Sequence, residues 1–227
     1  MRPFPLKPYR SYHFTRAHVS IYRLDFWCAA NHPGLESFWT SLTQAEQEKA
    51  SRLDLLDPQG CRGKHWALTR ILLRLSLCQP LGLSPGQVEI SYGPWGKPLC
   101  PGASFSLSHS NQWLAIALAR QAHTPVGVDL ECLATSRAGD WLLPYLHPAE
   151  KEELGDLSEA ELTERLTWLW TRKEAYLKAR GQGLARSLSL DYLGWEYPDQ
   201  QPPGLDMISI DSGQGPLCSL ATLDSCL

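Results

Sequence analysis

Two acidic residues, Asp129 and Glu131, stand two apart in the stretch "PVGVDLE". In an extended strand, side chains at i and i+2 share a face. Two carboxylates on one face at the end of an apolar strand repel, and burying such a pair is costly unless something neutralises it. A divalent cation does that. Magnesium takes oxygen ligands, only a few of them carboxylates, and keeps positions for water and substrate phosphate. The same spacing also suits an ordinary solvated strand end.

The stretch "WTRKEAYLK" sharpens the choice. Trp170, Glu174 and Lys178 fall at i, i+4 and i+8, along one helical stripe. Lys173 and Leu177 flank it, and Leu166, Leu169 and Tyr176 complete an apolar side. A tryptophan on the same stripe as an acid and a base suits a polar pocket floor, with Glu174 on a metal and the lysines on a phosphate. The alternative is a wet helix face. There the long stems cover apolar surface, and an i,i+4 ion pair contributes only about 0.2–0.5 kcal/mol.

Two further stretches carry polar groups on rigid elements. In "FSLSHS", Ser108 and His109 end a strand; no acid adjoins them and no G-x-S-x-G elbow occurs, so a Ser-His hydrolase has little support. In "WGKP", Lys97 sits on a glycine-proline turn, either as a phosphate anchor or as a surface lysine.

The elements that must position these residues are mixed. "VSIYRLDFW" (19–27) alternates and reads as a strand. Thr43 and Glu46 form a capping box for a helix through "QAEQEKASRL". Residues 62–78 place Trp66, Leu68, Ile71, Leu72 and Leu75 at helical spacing. "QVEISY" reads as a strand before the turn "GPWGKP", and "FSLSHS" with "WLAIALA" as a strand pair. Ser158 and Glu161 open a long helix that Gly181 ends. "SLSLDYLGWEY", "MISI" and "LCSLATL" read as strands, "DQQPPG" as a loop, and the run "EKEELGDLSEAE" as solvated surface.

The 227 residues fit one large domain or two small ones. A net charge of −3 argues against general nucleic-acid binding. Seven cysteines, at 28, 61, 78, 100, 132, 218 and 226, form no C-x-x-C pair; they read as reduced thiols of a cytoplasmic protein. "MRPFPLKPYR" has no apolar signal core, and "WLAIALA" is too short to span a bilayer, so no membrane association is expected. Residues 1–18, with four bases, three prolines and no acid, read as an extended arm, on the surface or clamping one half of the molecule.

In this order, "GKP", "FSLSHS", "GVDLE" and "WTRKEAYLKARGQGL" resemble the 4′-phosphopantetheinyl transferases, in the larger Sfp-type class whose single chain holds two similar halves. The resemblance runs from about Gln47 to Leu184. It implies an α+β pseudodimer, each half a long helix on a small antiparallel sheet, with an N-terminal half at 19–125, a C-terminal half at 126–227 and a cleft between them. A monomer is then expected. The family moves the phosphopantetheine arm of coenzyme A onto a serine of an acyl, polyketide or peptide-synthetase carrier protein. The resemblance implies that Asp129, Glu131 and Glu174 hold Mg²⁺, that Glu174 takes the serine proton and that Lys178 stabilises the leaving phosphate. It places Lys173 at the pyrophosphate, Ser108 and His109 at the nucleotide end, with His109 on the 3′-phosphate, and Lys97 near the nucleotide. Lys49 and Arg52 fit a basic position on the first long helix. Glu46 departs from the pattern, because a base is often found there.

Two rival readings come from other classes. A magnesium-dependent nuclease would also use Asp-x-Glu and a lysine, but here the lysine lies on the helix with Glu174. A carrier-binding module without activity would not need the whole set Asp129, Glu131, Glu174 and Lys178.

Overall fold

The computed structural model describes residues 7–25, 36–57, 61–133, 139–183, 186–213 and 215–224. Arg2, Phe26, Trp27, Cys28, Leu184 and Cys226, which entered the sequence reading, lie outside them. The fold is mixed α+β with antiparallel sheets, built in four layers.

The first sheet has the order β1 (Arg10–His13), β2 (Ala17–Arg23), β6 (Trp113–Ala119), β5 (Phe105–Ser110), all antiparallel. Its central strand β6 is apolar on both faces because both are covered. Leu114, Ile116 and Leu118 pack on the helices α1 (Gln44–Leu55) and α2 (Arg62–Leu81). Trp113, Ala115 and Ala117 pack on the second sheet, of order β7 (Val126–Glu131), β9 (Leu217–Leu223), β8 (Leu205–Asp211). Between the sheets, Val19 and Ile21 meet Val128, Leu130, Cys218 and Leu220. The outer face of the second sheet carries α4 (Glu159–Arg180), after the short helix α3 (Pro148–Leu154). A two-residue pair, β3 (Ser91–Tyr92) and β4 (Pro98–Leu99), flanks the turn that holds Lys97.

Local rules act where expected. Thr43 with Glu46 and Ser158 with Glu161 close capping boxes at the starts of α1 and α4. Gly181 ends α4 in the left-handed conformation, at φ 68°. In β7, Val126, Val128 and Leu130 point into the core between the sheets. Gly127, Asp129 and Glu131 take the other parity, toward α4. Gly127 is required there: a Cβ on it would lie 1.9 Å from Ala175 O and 2.4 Å from Ala179 N. The helix therefore rests on the strand's bare backbone.

Three expectations are corrected. "SLSLDYLGWEY" is not a strand; apart from a short 3-10 turn at Leu188–Leu190 it is irregular. Its backbone groups are taken by charged side chains instead. Arg172 donates to Leu193 O and Gly194 O, Lys173 donates to Leu188 O and Asp191 O, and Glu150 accepts from Leu193 N. "EKEELGDLSEAE" is not wholly solvated: Glu150 is fully buried, and Glu153 accepts from Trp195 N and Glu196 N. "QVEISY" forms a strand only at Ser91–Tyr92, because its start is taken by a 3-10 turn in which Gln87 accepts from Ser84. Residues 10–13 of the N-terminal arm form β1, and Arg16 beyond it donates to Leu223 O and pairs with Asp224 at 2.5 Å. Among the described residues no helix is long and apolar enough to cross a membrane.

Candidate functional site

Edge strands β5 and β7 run side by side without a backbone ladder, and α4 closes over β7. This arrangement brings Asp129, Glu131, Glu174 and Lys178 together. Lys178 Nζ lies 2.7 Å from Asp129 Oδ1. Ser108 Oγ donates to that same oxygen at 2.6 Å, and Ser110 Oγ donates to Glu131 Oε2 at 2.7 Å. Burial raises the pKa of Glu174 first, and the nearby Asp129 and Glu131 add to it against Lys178. Glu131 is also raised, again mainly by burial, with Ser110 opposing and Asp129 adding.

Asp129 Oδ2 and Glu174 Oε1 are buried without a hydrogen-bond partner. Leaving such an acceptor unsatisfied costs about 1–3 kcal/mol, more when it is charged. Two orphaned carboxylate oxygens beside a third acid suit a hard divalent cation, whose preferred ligands are oxygens. No ready-made cluster of three metal-ligating side chains stands among the described residues. Lys178 and the serines occupy part of the carboxylates' coordination capacity.

Next to these acids is a cleft of about 330 Å³, bounded by Arg70, Trp95, Lys97, Leu107, Glu174 and Lys178. Arg70 was not singled out by sequence reasoning. Its guanidinium stacks 5.2 Å from the Trp66 ring centroid and 5.8 Å from that of Tyr92. Its Nε and Nη1 are buried without a partner. The signal that could have found it is the i,i+4 spacing of Trp66 and Arg70, which puts cation and aromatic on one face of α2.

The other expected residues divide. Lys97 lines the cleft, but its ammonium donates to Lys178 O at 2.6 Å and Val126 O at 3.3 Å. It thus neutralises the C-terminal end of α4, and burial pushes its pKa down to about 8. Ser108 is turned to Asp129 rather than toward open cleft. His109 is exposed, and its pKa is lowered first by partial desolvation and next by Lys178. The pKa of His65 is lowered first by burial, with Asp25 and Asp57 opposing and nearby His109 adding a smaller push downward. Lys49 lies over the other stacking partner of Arg70, with its Nζ 5.1 Å from the Trp66 ring, and Arg52 is exposed on the same helix.

Lys173 is a correction. It is 1% exposed and lines no part of the cleft. Its ammonium is 2.8 Å from Glu150 and donates to two carbonyls. One step along a helix rotates a side chain by about 100°, and that step carries Lys173 from the stripe of Glu174 into the packed side. Glu46 likewise has a structural partner, accepting both bonds of a bidentate pair from Arg74 at 2.8 and 3.1 Å. A second hollow, of about 700 Å³, lies behind α4. Its Arg186 is paired with Asp191, and its Arg180 donates to Tyr176 and Gln182.

A family model described as the 4′-phosphopantetheinyl transferase superfamily matches residues 125–216. Curated relatives agree. The chain is 32% identical over 160 residues to 4′-phosphopantetheinyl transferase HetI of Nostoc sp., covering 67% of this chain and 65% of that one. It is 28% identical over 158 residues to a 4′-phosphopantetheinyl transferase of Bacillus subtilis, covering 68% and 66%. It is 33% identical over 141 residues to 4′-phosphopantetheinyl transferase AcpT of Salmonella typhi, covering 59% and 67%. The chain thus spans about two-thirds of the length of the curated relatives it matches.

Proposed function

The chain belongs to the 4′-phosphopantetheinyl transferase superfamily, and from that premise we propose that it moves the 4′-phosphopantetheine arm of coenzyme A onto a serine of a carrier protein. Adenosine 3′,5′-bisphosphate is the other product. The observation that carries the reading is the meeting of Asp129, Glu131, Glu174 and Lys178 at a cation-lined cleft, with two carboxylate oxygens orphaned.

Asp129, Glu131 and Glu174 would hold Mg²⁺. When bound, the ion neutralises pyrophosphate charge and orients the phosphorus for in-line attack. Glu174 takes the proton of the attacking serine hydroxyl, directly or through a water. The serine oxygen bonds to the phosphorus on the pantetheine side, and the bond to the bisphosphate breaks. Lys178 offsets the negative charge that collects on the leaving phosphate. Arg70 brings two unpartnered N–H groups to the phosphates. His109 receives the 3′-phosphate, with Lys49, Arg52 and His65 adding positive or donor character nearby.

We assign the chain to the two-half, Sfp-type class. Apart from β1, the short β3–β4 pair and single helical turns, each half runs strand, helix pair and antiparallel strand pair: β2, α1, α2, β5, β6 and then β7, α3, α4, β8, β9. The join is placed at Pro125, after an arm at 1–18. A chain that supplies both halves works as a monomer. The thiols of Cys78, Cys100 and Cys218, outside any disulfide, suit a reducing cytoplasm.

The test is direct. Fatty-acid, polyketide and peptide-synthetase carrier proteins in apo form are incubated with the chain, coenzyme A and Mg²⁺, then weighed by mass spectrometry. A gain of one phosphopantetheine arm on a carrier is expected. No gain on any carrier refutes the reading, and DNA cleavage instead would favour a nuclease.

A further inference from the structure

Strands β5 and β7 are the edges of their sheets, in the orders β1-β2-β6-β5 and β7-β9-β8. Exposed edges carry unpaired backbone donors and acceptors that must be satisfied or covered. Here the two edges meet, yet no backbone ladder forms. Three serines on alternate positions of β5 join them instead. Ser106 Oγ accepts from Val128 N at 3.1 Å, Ser108 Oγ donates to Asp129 Oδ1 at 2.6 Å, and Ser110 Oγ donates to Glu131 Oε2 at 2.7 Å. The period-two spacing in "FSLSHS" puts all three hydroxyls on one face.

The three bonds do different things. The Ser106 bond satisfies a buried backbone N–H that points off the sheet edge. The other two fix carboxylates. The carboxylate of Asp129 has two side-chain torsions and that of Glu131 three, and a hydroxyl held on a neighbouring strand removes most of that freedom. Asp129 Oδ2 stays without a partner because Oδ1 takes both Ser108 and Lys178. Ser108 thus holds one oxygen of Asp129 and leaves the other to a ligand. Glu131 is held from two sides, by Ser110 and by a hydrogen bond from Trp170.

We propose that Ser108 and Ser110 are positioning residues, a hydroxyl seam across the two sheets that presents Asp129 and Glu131 to the cation. The proposal rests on the reading that these acids bind a divalent ion. It gives Ser108 a role other than contact with the nucleotide. Ser110 is the cleaner case, since the oxygen it meets is not shared with Lys178.

The test uses the full chain and Mn²⁺ as a spectroscopic stand-in for Mg²⁺. Free Mn²⁺ is counted by electron paramagnetic resonance, without coenzyme A or carrier. Removing a hydrogen-bond partner of a metal ligand typically weakens metal affinity about 10–100-fold, and that loss is expected for Ser110→Ala. Ser110→Thr, which restores a hydroxyl on a part-exposed side chain, should recover most of it. Ser106→Ala should lower the melting temperature while holding Mn²⁺ affinity within about twofold, because its partner is a backbone N–H. Equal affinity in wild type and Ser110→Ala would overturn the seam and leave the metal reading intact. A wild-type chain that binds no Mn²⁺ would overturn both. An equal loss of affinity in Ser106→Ala would reduce the seam to general packing.

Discussion

Replacing Glu174 by glutamine should raise the stability of the metal-free protein and lower it, relative to wild type, once Mg²⁺ is added. Glu174 is held among Asp129 and Glu131, with its pKa raised by burial before either neighbour acts. Its Oε1 is buried and unpartnered, a defect that costs about 1–3 kcal/mol. Glutamine keeps the shape and still presents one unpaired oxygen, so the gain from removing the charge sits low in that range, about 1 kcal/mol. In a chain of this size that moves Tm by roughly 2–4 °C. The pH dependence follows from the sign of the shift. A group whose folded pKa lies above its unfolded value stabilises fully below the unfolded pKa and loses that contribution as pH rises through the folded one. The advantage of the variant should therefore be largest above neutral pH and vanish as pH falls below the ordinary glutamate value of 4.5. A cation that binds only the folded state adds about 2.7 kcal/mol at a hundred times its Kd, so wild type should gain roughly 5–10 °C in excess Mg²⁺. The variant, lacking a ligand, should gain little. Scanning calorimetry in chelator and in excess Mg²⁺, at neutral pH and near pH 4, reads all four states. A variant that melts below wild type in chelator, or that gains as much as wild type from Mg²⁺, would refute the reasoning.

Lys173→Ala breaks a buried ion pair and should destabilise by about 3–5 kcal/mol in urea unfolding, with coenzyme A affinity of the folded fraction unchanged; the reverse pattern would return Lys173 to the pyrophosphate. Arg70→Met removes a charged donor from the cleft and should weaken coenzyme A binding by on the order of ten- to a hundredfold, from the 1.5–3 kcal/mol of a charge-assisted bond; an unchanged calorimetric Kd would exclude that contact. His109, with its pKa lowered, is largely neutral at physiological pH, so coenzyme A should bind more tightly as pH falls toward 6 while dephospho-coenzyme A should not. His109→Ala should abolish that difference, and a titration unaltered by the substitution would make the histidine structural.

Local chemistry made much of this legible. Thr43–Glu46 and Ser158–Glu161 are short-range capping patterns, and each begins a helix where it should. "FSLSHS" and "WLAIALA" read as a pair because their alternation needs no distant partner to interpret. The misreadings share one cause, side chains acting on backbone far along the chain. "SLSLDYLGWEY" has the alternation of a strand, but Arg172, Lys173, Glu150 and Glu153 satisfy its backbone, and those residues lie 15 to 43 positions away. Lys173 and Lys178 look alike in sequence as neighbours of Glu174; only the packing of α4 on 188–191 separates the buried one from the one at the acids. Ser108 was read through its neighbour His109, whereas its partner comes from β7, 21 residues on. Arg70 escaped notice because a base on a helix is ordinary until Tyr92 is brought against it.

The missing side chain at Gly127 gives the molecule a hard stop. Helix and strand touch main chain to main chain there, so the span between the acid on α4 and the acids on β7 is not set by any core side chain that could swell or shrink. Exchanges among the apolar residues on either side can tilt or loosen the layers without resetting that span. The chain is thus free to drift in its core while its acids keep their gauge. A methyl at Gly127, 1.9 Å from Ala175 O, would drive the helix back by roughly 1.5 Å to reach ordinary contact near 3.5 Å, and would do so under the acids themselves. The first letter of "GVDLE" acts on the same chemistry as its third and fifth, as the spacer rather than the ligand.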